Sequence, residues 1–173
     1  MIEMFRAPTQ DIEIIGSYII GMTGSLQHAV IEPYLRRHGF TTIDPNAWYP
    51  LQTVLNFFFD LYYAPDAMFN MVAIGMNGGK NSPLPANITT YEDMLIKADE
   101  VIHSGYRNGK PGFIRTEQIG SQHFRLTQQS PYPVDLYYGV WYGLGKRFLP
   151  TGNKLQIERT KIDPVTTIFD IQW

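Results

Sequence analysis

Gly139 and Gly143 stand four residues apart in a run otherwise built from large side chains: Leu136, Tyr137, Tyr138, Val140, Trp141, Tyr142 and Leu144. Glycine in a helix interior costs about 1 kcal/mol relative to alanine. A pair at this spacing is best understood if another backbone, a large ring or a ligand comes close to it. Pro131 and Pro133 stop the preceding element, Pro133 suits a helix start, and Asp135 complements the positive end of the helix dipole. The stretch from Ser130 to Phe148 therefore reads as a buried helix docked on a sheet. Leu136, Val140, Gly143 or Leu144, and Phe148 form one face, with Tyr137 and Trp141 on a neighbouring face. Tight helix–sheet packing is the first reading of the glycine pair and a pocket wall the second.

The sequence on either side supplies the partners. Asp11 to Met22 is an apolar run that fits an entry strand or a buried helix. Leu26 to Leu35 reads as a helix stopped by Gly39, with Pro33 as a kink or break. Asp44-Pro45 offers a helix start, and Tyr49-Pro50 a restart. Leu51, Val54, Leu55, Phe58, Leu61 and Tyr62 recur at helical spacing, and a second apolar face runs from Met68 to Met76 until Asn77-Gly78-Gly79. Lys80 to Asn87 reads as a loop. Thr89 and Thr90 precede Asp93 as a capping box for one helix ending at Gly105. Beyond Pro111 the texture changes: Phe113–Gln118 and Gln122–Gln128 flank Ile119-Gly120-Ser121 as a hairpin. After the aromatic helix, Leu155 to Arg159 alternates as a half-buried strand, and Thr166 to Trp173 is rich in strand formers.

The expected fold class is thus α+β. A helical N-terminal part, about residues 1–106, packs on a four-stranded antiparallel β-β-α-β-β part, about residues 107–173, within a single domain. At 173 residues the chain can bury one core without a disulfide or structural metal. Aromatic residues make up 14% of it, enough for a wide core or an apolar pocket.

Composition removes several function classes. A net charge of −2 and a pI near 6.1 lack the basic footprint that nucleic-acid binding needs. Cysteine is absent, which excludes thiolate metal sites and cysteine nucleophiles and points to a cytoplasmic setting. No stretch reaches the roughly 20 apolar residues of a membrane span. His28, His38, His103 and His123 show no zinc-ligand spacing, and no metal site is expected. Gly78-Gly-Lys-Asn-Ser82 fails as a phosphate loop, because Ile74 and Asn81 occupy its required glycine and hydroxyl positions. Gly143-Leu-Gly145 lacks the third glycine of a dinucleotide fingerprint. No Gly-x-Ser-x-Gly elbow occurs and the carboxylates are scattered, so a non-catalytic domain is expected.

A helical first part, a hairpin, a Pro-Tyr-Pro entry into Leu136-Tyr-Tyr-Gly-Val-Trp-Tyr-Gly-Leu144 and a closing strand pair together resemble one superfamily. It joins haem nitric oxide/oxygen (H-NOX) sensors, 4-vinyl reductase-type ligand-binding domains and the TRAPP transport-complex subunits. The H-NOX branch implies haem on an axial histidine, whose place in this chain is near Ala98; His103, over a turn away, is the candidate. That branch also implies a Tyr-x-Ser-x-Arg propionate clamp, where this chain reads Thr127-Gln-Gln-Ser-Pro131. Both signatures are altered, so the resemblance points to the haem-less branches: no cofactor is expected and haem is disfavoured. Those branches imply a cytoplasmic sensory or ligand-binding domain for a small hydrophobic molecule. The expected pocket lies between the N-terminal helices and the aromatic helix, with Phe58, Tyr62, Met68, Met94, Tyr137, Gly139, Trp141 and Gly143 as its candidate residues. The alternatives implied are a homodimeric adaptor of TRAPP type and a haem gas sensor using His103.

Overall fold

A computed structural model describes residues 2–65 and 69–173. The apolar run that fitted strand or helix is both: β1 (Glu13–Ile15) passes directly into α1 (Gly16–Thr23). Helix α2 (His28–Arg37) accommodates Pro33 and ends before Gly39, whose φ of 78° only glycine adopts freely. Asp44-Pro45 does not start a helix. The Asp44 carboxylate accepts the Asn46 N–H at 2.8 Å and turns the chain into β2 (Trp48–Pro50), which leads into α3 (Leu51–Tyr62).

Helix α4 (Met71–Asn81) continues through Gly78 and Gly79 instead of stopping at them. Both are buried under neighbours: a methyl on Gly79 would overlap the Val140 carbonyl, and one on Gly78 would press on Met22. Close packing outweighs the helix-breaking tendency here. The capping box forms as expected, with Thr90 Oγ1 accepting from the Asp93 N–H at 3.0 Å and Asp93 accepting from the Thr90 N–H at 3.0 Å. The expected single helix is nonetheless split at Lys97 into α5 (Tyr91–Ile96) and α6 (Ala98–His103). The sheet causes the break: the Thr116 hydroxyl donates to the Leu95 carbonyl at 2.8 Å, and Asp99 accepts the Ile114 N–H at 2.8 Å.

Strand β3 (Tyr106–Arg107) joins β1 and β2 in a small antiparallel sheet with β1 central. The larger antiparallel sheet contains β4 (Phe113–Gly120), β5 (His123–Gln129), β6 (Gln156–Lys161) and β7 (Thr166–Gln172), in the order β4-β5-β7-β6. Helix α7 (Val134–Phe148) lies between this sheet and α4. The mixed α+β class and the β-β-α-β-β order follow the sequence reading. The glycine pair does not seal helix to sheet, however. Gly139 and Gly143 face the backbone of α4, where added methyls would overlap the Val72 and Met76 carbonyls; Gly75 and Gly79 answer from α4 against Leu136 and Val140. The sheet side of α7 is held by Trp141, fully buried, whose indole N–H donates to Gln128 Oε1 at 3.0 Å. Among the described residues no helix is long and apolar enough to cross a membrane.

Candidate functional site

Helices α4 and α7 run together through their glycines, and α1 and α6 pack beside this pair without filling all the space between. A cavity of about 60 Å³ remains where the four helices converge. Tyr18 and Met22 of α1 line one side, and Val101 and Ile102 of α6 another. The end of α4 with Ser82–Leu84 forms the rim, and Leu136, Tyr137, Val140 and Leu144 of α7 the floor. Tyr106 and Tyr132 complete the wall. The Tyr18 hydroxyl spans from α1 to α6, donating to the Val101 carbonyl at 3.0 Å with Ser104 Oγ at 3.2 Å. Its ring lies over Gly105, where a methyl would collide with it.

The wall is mainly apolar; its hydroxyl-bearing residues are Tyr18, Ser82 and a group of three tyrosines, Tyr106, Tyr132 and Tyr137. Tyr106, Tyr132 and Tyr137 stand close enough to perturb one another, and burial raises all three pKa values, that of Tyr137 to about 12. They are therefore neutral phenols across physiological pH. The Tyr132 residue is 3% exposed, and its hydroxyl has no hydrogen-bond partner among the described residues. Tyr106 influences the titration of Tyr132 without reaching hydrogen-bond geometry. Among the described residues no lysine, arginine, histidine or carboxylate lines the cavity.

Of the residues proposed from sequence, Tyr137 lines this cavity. Gly139 and Gly143 lie on the α4 contact, and Trp141 faces Gln128 on the sheet. Phe58 is buried with its ring 5.5 Å from that of Tyr132, one residue layer from the cavity. Met94 is buried in the core away from the cavity, and Tyr62 is 39% exposed beside Phe5. Met68 lies outside the described residues. Tyr18, Tyr106 and Tyr132 were missed because each belongs to a different element and none stands at helical spacing with the others. The available signal was the aromatic Tyr132 between two prolines.

His103 is buried behind Tyr106, with ring centroids 6.1 Å apart, and does not line the cavity. Its Nδ1 lies 3.1 Å from Asp99 Oδ1 but outside hydrogen-bond geometry, and burial lowers its pKa. Partial burial of Asp99 works to raise its pKa, but hydrogen bonds from Lys110 and the Ile114 N–H, with nearby positive charge, hold it below the usual carboxylate value. Ala98, where the resemblance places an axial ligand, is wholly buried and offers no donor atom. Pockets for ligands of drug size run to roughly 300–1,000 Å³, against about 60 Å³ here. Propionates call for basic partners, and the stretch that should hold them has the Ser130 hydroxyl occupied by the Tyr132 N–H at 3.1 Å and Gln128 by Trp141. The residues present do not fit haem. Among the described residues no cluster of three potential metal ligands occurs.

No family model matches the chain, and no curated protein matches it in sequence. Its shape does have relatives. A triple mutant of an H-NOX protein from S. oneidensis, solved in the Fe(II) ligation state, superposes with a TM-score of 0.69 over 92% of this chain and 95% of that one, at 12% identity. A structure of an H-NOX protein from S. oneidensis in the Fe(II)NO ligation state gives 0.67 over 92% and 98%, also at 12% identity. A structure bearing on H-NOX activation gives 0.64 over 91% and 92% at 16% identity. The TRAPP-type adaptor reading gains no support from these neighbours. The chain has the H-NOX fold.

Proposed function

We propose that this chain is a non-catalytic sensory or ligand-binding domain that takes a small, largely apolar molecule, and not haem, in the cavity between α1, α4, α6 and α7. The observation that carries the reading is the cavity itself: an apolar space at the convergence of both halves of the molecule, where occupancy can be felt by each. A space of about 60 Å³ exceeds what one water needs, roughly 10–15 Å³, and falls below the 150 Å³ that holds benzene. The ligand is therefore a molecule of a few heavy atoms. Haem is set aside because neither volume, axial donor nor propionate partners suit it.

Xenon is a suitable first probe, since dry apolar cavities bind it. Under xenon pressure, amide resonances of Val101, Tyr106, Leu136 and Val140 should shift saturably while those of the distant β6 edge stay fixed. Absence of any localised shift would remove the reading. A haem titration provides the complement: no Soret band that depends on His103 should develop, and one that does would restore the haem sensor.

A further inference from the structure

Resting on that ligand-binding reading, we infer that Tyr106, Tyr132 and Tyr137 form a neutral hydrogen-bonding corner that selects a small uncharged molecule carrying one acceptor oxygen, such as a short ketone or aldehyde. Tyr132 carries the argument. A hydroxyl buried without a partner is costly, and buried polar groups are normally satisfied. Tyr132 is 3% exposed, its hydroxyl lacks a partner among the described residues, and its side chain forms part of the cavity wall. The Tyr137 ring lies 6.2 Å from that of Tyr132, and Tyr106 lines the same cavity, so the corner is rich in O–H donors.

The remaining walls define what the rest of the ligand must be. Met22, Val101, Leu136 and Leu144 offer only apolar contact. A carboxylate or ammonium would enter without a counter-charge, and desolvating an unpaired ion is prohibitive. Phenols held in the protonated form donate to a carbonyl and present no charge that would attract a cation. Volume limits the body to a few carbons. A compact carbonyl compound therefore satisfies both the donor corner and the apolar walls, where a pure hydrocarbon satisfies only the latter.

Three molecules of the same shape separate the possibilities: acetone, isobutene and acetate. Each is titrated into the full chain and into Tyr132→Phe, with amide shifts at the cavity as the readout and xenon as the control for an intact cavity. The expected result is that Tyr132→Phe weakens acetone about tenfold, the size of one net hydrogen bond, while isobutene and xenon bind as before or better, and acetate binds neither protein. The carbonyl stretch of acetone bound to the unmodified protein should lie at its hydrogen-bonded position, a measurement that needs no variant. Equal acetone affinity in both proteins, an unbonded carbonyl band, saturable acetate binding or an ordered water that acetone does not displace would each overturn this inference. With xenon still binding, those results leave the ligand-binding reading in place. Loss of xenon binding from the unmodified protein would end both.

Discussion

Along α4 and α7, four glycines bring two backbones together so closely that a single methyl on any of them would strike a carbonyl; one face away, four tyrosines surround a space of about 60 Å³. The smallest side chains make a sealed contact, and some of the largest border a space left open. Backbone atoms pack to high density wherever side chains are removed from between them. Flat rings with a polar tip are less adaptable: the ring fills volume, but the hydroxyl must be placed where it can bond, and that of Tyr132 has no partner among the described residues. The two regions share α4 and α7: one face of the pair is sealed by backbone contact, and the other borders the open space.

The comparison breaks most sharply at the sealed contact. Gly139→Val should drive a side chain into the Val72 carbonyl and part α4 from α7, costing about 3 kcal/mol, the upper end for overpacking. A fall in the urea midpoint at unchanged slope measures it. On the opposite side of the same helix, Trp141→Phe leaves the buried Gln128 acceptor without its donor. About 2 kcal/mol should be lost, read in the same way.

The open region should respond more gently. Tyr18→Phe removes the hydroxyl that ties α1 to α6 and should cost about 1 kcal/mol. Val101→Leu extends into the cavity; it should stabilise by about 0.5–1 kcal/mol and abolish the xenon-induced shifts. The smallest effect is a pH dependence from His103 on α6. Burial lowers its folded pKa, so as pH falls the unfolded chain takes up that proton first. The contribution is whole above the unfolded value of about 6.5 and is lost as pH drops below it. In His103→Gln, the stability curve should flatten in that range, as followed by thermal melting across pH.

Much of the fold was legible because it rests on local signals. The Thr90–Asp93 box, the Gly39 stop, the aromatic helix and the strand pairs on either side of it all declare themselves within a few residues. Errors arose where distant contacts decided. Gly78 and Gly79 read as a helix end because what covers them is remote in the chain: Met22 of α1 over Gly78, and the α7 backbone at Val140 over Gly79. The helix from Tyr91 was expected to run unbroken because Thr116 and Ile114, which interrupt it, belong to the sheet.

The candidate site was legible only in part, for the same reason. Tyr137 was recoverable from the face it occupies on α7, but Tyr18, Tyr106 and Tyr132 come from three other segments, and nothing in their spacing reveals that they converge. The sequence by itself determined that a glycine-paired aromatic helix would be buried and that the class would be α+β. Tertiary structure decided what the glycines touch and where space is left. Helix formation depends on neighbours three or four residues away, whereas a cavity is set by the angle at which whole elements meet.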